Sequence, residues 1–128
     1  MDSSITSALA AGGVADITTI GRKTGAPRRK EIFFHTFDGE HYIGGRPGFK
    51  RDWLANLTAN PGFTLHLKRG VMADLQAVAE PIRDTDQRGA ILYRMLTENW
   101  GTDPDRARAD LDRWVESAPL VRFEVEDQ

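Results

Sequence analysis

Residues 21–30, GRKTGAPRRK, gather Arg22, Lys23, Arg28, Arg29 and Lys30 around two glycines and a proline. Gly21 and Gly25 permit positive φ and Pro27 pre-sets an extended exit, so the stretch is expected to be a tight turn between two strands. At its apex Arg22, Lys23 and Thr24 offer two cations and a hydroxyl beside backbone amides. That donor set suits a phosphate or a carboxylate. Arg28 opens the following strand on the same side of the turn. The stretch is neither a P-loop nor a dinucleotide fingerprint, because the G-x-x-x-x-G-K-[ST] spacing is absent and no G-x-G-x-x-G precedes a helix. The same residues also suit a solvated hairpin tip whose charges deter edge pairing.

A second basic stretch, YIGGRPGFKRDW, covers residues 42–53. Gly44 and Gly45 at a strand end would let a flat ligand approach the backbone closely. Arg46, Lys50 and Arg51 add cations, so two basic loops could flank a glycine-floored groove. A loop-to-helix junction with exposed charges is the plainer alternative. His35, His41 and His66 have no ligand-type spacing, and His35 and His41 fall on opposite faces of their hairpin. No metal site is expected. No G-x-S-x-G nucleophile motif is present. Trp53, Trp100 and Trp114 are expected in the core.

The 128 residues suit one domain, spanning 1–128. The formal net charge is −2, yet residues 1–70 hold 10 Lys+Arg and 6 Asp+Glu while residues 71–128 hold 7 and 13. A basic region on an acidic molecule points to a small anionic partner. Nucleic acid is not expected, because aromatics are not interleaved with the cations. There is no cysteine, which excludes disulfides and thiolate metal sites. No apolar run approaches a membrane span and the first residues lack a basic n-region. A cytoplasmic protein, monomer or homodimer, without membrane insertion is expected.

The elements that must carry these loops follow from periodicity. Ser3 or Ser4 could cap a helix running to Ala11, with Gly12 and Gly13 ending it. Strands are expected over 14–20, 28–37, 40–45, 63–69, 71–82 and 119–126. Asp38-Gly39 is a two-residue hairpin signal, which sets Phe37 opposite Glu40 and His35 opposite Tyr42. Trp53, Leu54 and Leu57 mark a helix over about 50–58. Asp84 caps a helix over 85–99 with Ile91, Leu92, Met95, Leu96 and Trp100 as its apolar stripe. Asp103-Pro104 starts another, with Ala107, Leu111, Trp114 and Val115 inward. Six strands joined mostly by tight turns pair antiparallel and avoid open edges most simply by closing on themselves. The expectation is a mainly β, α+β fold: a six-stranded antiparallel barrel with short helices packed outside.

ITTIGRKTGAPR followed by WLANLTANP, residues 17–28 and 53–61, resembles the deazaflavin-dependent nitroreductase family, whose members carry TTxGRK[ST]GxPR and a downstream W-x-x-N-L-x-A-N-P helix. The likeness covers most of residues 16–80. It implies a split β-barrel and coenzyme F420, a deazaflavin with a phosphate and a polyglutamate tail, with the flavin FMN as the alternative cofactor. It implies hydride transfer from the reduced deazaflavin to an electron-poor small molecule: an activated alkene, a quinone or a nitro compound. A non-catalytic barrel that holds a cofactor or a lipid is the other alternative. By motif, Arg22, Lys23, Thr24 and Arg28 would contact the phosphate and tail. Gly44, Gly45 and Arg46 would underlie the ring, and Trp53 would pack beneath that loop. For a proton donor the candidates are Tyr42, Tyr93 and solvent. The chain departs from the family pattern in a glycine loop shortened to RPGFKRDW and in Glu31, where a proline is common.

Overall fold

The computed structural model describes residues 1–48 and 50–126; Phe49, inside the second basic stretch, and Asp127 and Gln128 lie outside the described residues. Six antiparallel strands close into a barrel in the order β1-β2-β3-β6-β5-β4. They are β1 (Gly13–Ile20), β2 (Pro27–Phe37), β3 (Glu40–Gly44), β4 (Gly62–Leu67), β5 (Ala73–Pro81) and β6 (Leu120–Val125). Four helices complete it: α1 (Ser3–Ala11), α2 (Asp52–Ala59), α3 (Thr85–Arg94) and α4 (Pro104–Ser117). Every expected element is present. Asp38 and Gly39 turn the β2–β3 hairpin with φ of 54° and 82°, and Phe37 pairs with Glu40 and His35 with Tyr42, as the turn signal requires.

Alternation along the strands builds two cores. Ile17, Phe34, Ile43, Leu65, Val121 and Phe123 fill the barrel. Phe37, Tyr42 and Leu120 point outward and are covered by Leu92, Met95, Leu96, Ala107 and Trp114 from the α3–α4 side. The two helices are tied by Arg88, whose guanidinium donates to the carbonyls of Ile82 (2.9 Å), Val115 (2.8 Å) and Ala118. These include carbonyls at the end of α4 that have no helical partner.

Three local expectations are corrected. The cap of α1 is Asp2, which accepts from the Ser4 amide at 2.7 Å, because its carboxylate reaches the first turn where a serine inside the helix cannot. The helix expected over 85–99 is α-helical only to Arg94 and continues as a π-helical turn, Met95–Asn99. The wider turn rotates Trp100 out of the apolar stripe, leaving it 42% exposed while Met95 and Leu96 stay buried. The strand expected from residue 71 begins at Ala73, after the positive-φ turn at Gly70.

At one end of the barrel α1 acts as a plug, with Leu9 buried and its carbonyl accepting from Thr36 Oγ1 at 2.6 Å. Gly12 makes this possible. Its φ of 68° and ψ of −172° lie in a region open only to glycine, and a Cβ there would stand 2.8 Å from the Phe34 carbonyl. Gly12→Ala is therefore expected to cost about 2–3 kcal/mol in urea unfolding, with an unchanged m-value.

The register sets the opposite end. The β1–β2 turn, the loop after β3, α2 and the entry to β6 all lie there. β1 pairs with β2 from Pro27 to Phe34, whereas β3 pairs with it only from Phe34 to Phe37. Residues 27–33 of β2 thus have a strand on one side only, and the barrel is open beside them.

Candidate cofactor cleft

A cleft of about 400 Å³ occupies this end, between the β1–β2 turn and α2. It is lined by Thr19, Gly21, Arg22, Lys23, Thr24, Arg28, Arg29, Lys30, Asp52, Trp53 and Asn56. Cross-strand pairing explains the cation cluster. Arg28 stands opposite Thr19 and Lys30 opposite Ile17, so both lie on the face that points inward lower in the barrel. Above the core that face is no longer filled by apolar side chains, and α2 closes it with Trp53, which is buried.

The turn is held by its own backbone. Gly21 N–H donates to the Ala26 carbonyl and Gly25 N–H to the Gly21 carbonyl, both at 2.8 Å. Thr24 Oγ1 accepts from the Ala26 amide at 3.1 Å, so this hydroxyl also shapes the apex. Arg22 is anchored to α2. Its amide and its Nη1 donate to Asn56 Oδ1 at 3.1 and 3.2 Å, and Nη1 lies 3.5 Å from Asp52 Oδ1. Arg29 turns partly away, donating to Asp16 Oδ2 at 3.0 Å. Lys23, Arg28 and Lys30 make no ion pair among the described residues, and Asp52 is the one carboxylate in the lining. Five cations against one carboxylate give this lining a strong excess of positive charge and of charged donors.

The glycine ledge stands at the same end but is not part of this lining. A Cβ on Gly44 would meet Met95 Sδ at 3.1 Å and the Pro119 carbonyl at 3.3 Å; one on Gly45 would meet the Arg51 guanidinium at 2.8 Å. The absent side chains thus admit the protein's own Met95 and Arg51. Arg51 donates to the Arg46 carbonyl at 3.0 Å, and burial lowers the basicity of its guanidinium. The Arg46 side chain is exposed and does not line the cleft. Of the residues singled out from the sequence, the structure gathers Arg22, Lys23, Thr24, Arg28 and Trp53 into one lining, and Gly44, Gly45 and Arg46 stand apart from it.

Tyr42 belongs elsewhere. It lines a separate cleft with Phe37, Asp38, Glu40, Ala90, Ile91 and Arg94 and donates to Glu40 Oε2 at 3.2 Å. Burial, then the Glu40 carboxylate, raises its pKa. The sequence reading missed Asn56 and Thr19. Both are buried, and only the polar asparagine on the otherwise apolar face of the Trp53–Leu57 helix could have signalled the first. Among the described residues no group of three or more His, Cys, Asp or Glu could hold a metal. Nor is any helix there long and apolar enough to cross a membrane.

The model of the F420H(2)-dependent quinone reductase family matches residues 2–115. Among solved structures, a conserved hypothetical protein of Mycobacterium tuberculosis superposes with a TM-score of 0.74 at 17% identity, over 99% of this chain and 81% of that one. An F420 reductase superposes at 0.64 with 17% identity, over 94% and 92%. An F420-H2 dependent reductase does so at 0.58 with 18% identity, over 88% and 94%. Identities this low carry the fold alone. No curated protein matches the sequence. The family model spans most of the chain, and the cationic cleft has the donor chemistry that a phosphate- and carboxylate-bearing deazaflavin demands: the chain belongs to the F420H(2)-dependent quinone reductase family, an F420-dependent reductase with coenzyme F420 as its cofactor.

Proposed function

We propose that the protein transfers a hydride from reduced F420 to a small electron-poor acceptor of the quinone type, and that the cationic cleft holds the anionic part of the cofactor. The observation that carries this reading is the cleft lining: five cations, one carboxylate and a tryptophan on one wall. Bound reduced F420 would supply the hydride, which carries both electrons, and the redox chemistry is the cofactor's own.

The protein's part is binding, orientation and exclusion of water. Lys23, Arg28 and Lys30 neutralise phosphate and carboxylate charge. Arg22, already fixed by Asn56 and Asp52, offers its remaining N–H groups without a large ordering cost. Trp53 keeps the inner wall of the cleft dry. A remote charged anchor leaves the reacting part of the cofactor uncovered for the acceptor. Tyr42, in its own cleft, takes no part in this scheme; solvent supplies the proton. Nitro compounds and activated alkenes satisfy the same requirement for an electron-poor acceptor.

The test is a fluorescence titration with oxidised F420, alongside FMN, followed by turnover of reduced F420 with a soluble quinone. Oxidised F420 is expected to bind and to lose affinity as salt is raised, FMN to bind more weakly, and reduced F420 to be consumed only when the quinone is added. Binding indifferent to salt, or reduced cofactor stable in the presence of quinone, would overturn the reading.

A further inference from the structure

Two buried polar side chains, Thr19 at 1% exposure and Asn56 at 2%, line the cleft beside its charged groups, Trp53 and the exposed Thr24. Asn56 Oδ1 accepts twice from Arg22, at the backbone amide (3.1 Å) and at Nη1 (3.2 Å). An amide oxygen has two lone pairs, so this fixes the orientation of the carboxamide: turned over, its NH2 would face two donors. Nδ2 then donates to Thr19 Oγ1 at 3.1 Å. Having accepted there, the Thr19 hydroxyl has no acceptor for its own proton among the described residues. A buried donor without a partner is costly. An acceptor oxygen entering the cleft would remove that cost.

We propose that Asn56 is the positioning residue of the cleft, holding Arg22 with one end of its amide and orienting Thr19 with the other, so that the Thr19 hydroxyl is the uncharged donor to an oxygen of the bound cofactor. This rests on the F420 reading of the cleft. It divides the binding work in two. The cations draw in any anion of the right size, and their contribution fades with salt. The hydroxyl is a short-range directional contact that salt does not screen, and it requires an acceptor oxygen at one position. Asn56 has no role at the reacting atoms. It acts through Arg22 and Thr19.

The experiment is the titration of the full-length protein with oxidised F420 at several salt concentrations, with folding checked by melting. Thr19→Val keeps the shape of the side chain and removes the hydroxyl; it is expected to weaken affinity roughly 3–10-fold by the same factor at every salt concentration. Thr19→Ser is expected to restore it. Arg22→Ala should weaken affinity and flatten the salt dependence. Asn56→Ala should combine both effects, and adding Thr19→Val or Arg22→Ala to it should cost much less than in the wild type. Wild-type affinity in Thr19→Val, or full additivity in the double variants, would overturn the inference while leaving the cleft assignment standing. Failure of the wild type itself to bind oxidised F420 would remove the assignment instead. Should Asn56→Ala not fold, the Val and Ser variants of Thr19 decide alone.

Discussion

Replacing His35 by phenylalanine is expected to abolish most of the loss of stability that the protein undergoes between pH 6.5 and pH 4. The imidazole is 1% exposed, and neither ring nitrogen makes a well-formed hydrogen bond. Phe33, Phe37 and Trp100 surround it, with ring centroids at 4.9, 6.1 and 5.6 Å. Burial lowers its pKa to about 4, with a small opposing contribution from Asn99. The sign follows from proton linkage. In the unfolded chain the imidazole takes up its proton near pH 6.5, and in the folded protein only near 4. Between these values the unfolded state binds more protons, so stability falls as pH falls. The full loss is about 3 kcal/mol. A phenylalanine fills the same aromatic slot and titrates nowhere. Asp2 and Asp16, held below the usual carboxylate range chiefly by hydrogen bonds from Ser4 and from Lys68, add an acid loss common to both proteins. Urea unfolding at pH 7.5 and pH 4 measures the difference. Parallel losses in wild type and His35→Phe would show that the ring is not held neutral in the fold.

His35 also marks where the sequence stops being legible. Its strand, its register opposite Tyr42 and its face follow from alternation and the Asp38-Gly39 turn. Its burial does not, because that depends on Trp100, and the position of Trp100 depends on a π-helical turn. No propensity distinguishes Met95–Asn99 from the α-helix before it; the insertion is decided by packing of Met95 against Gly44 and of Leu96 under α4. The barrel itself was readable, since strict alternation, short turns and the need to remove edges all favour one topology. The gathering of the cations in one cleft was readable because charge density and glycines sit within one short stretch. The glycine ledge was legible only as a place of close approach. Adjacent glycines signal close approach, but not of what, and here Met95 and Arg51 are what approach. Asn56 was hidden because a helix pattern ranks positions by apolarity, and a buried amide satisfied across a 34-residue separation has no local signature.

Arg22→Ala with Lys23→Ala is expected to weaken F420 binding about 100-fold at low salt, the largest change any pair of substitutions in the cleft should produce. Lys23 makes no ion pair among the described residues, so its loss removes attraction for the ligand without unpairing an internal group. Arg22 is different. It is already engaged by Asn56 and Asp52, so its removal also takes one of the two donors from the Asn56 carbonyl oxygen, the residue-22 amide remaining, and leaves Asp52 without its ion-pair partner in the lining. Hydrogen bonds to charged groups contribute about 1.5–3 kcal/mol each. Two of them would exceed 100-fold, but both side chains are solvent-facing and part of that energy is screened. The deficit is therefore expected to shrink toward about tenfold in 0.5 M salt, where the Debye length falls to about 4 Å. Asp52→Asn supplies the opposite sign. It leaves the backbone of α2 intact, removes the one carboxylate that lines the cleft among the described residues and should tighten binding by a few-fold at low salt. A fluorescence titration with oxidised F420 in the three proteins at two salt concentrations reads both effects. If the charge-removing pair binds as tightly as wild type, and Asp52→Asn has no effect, the anion is held elsewhere and the cationic turn is only a solvated hairpin tip.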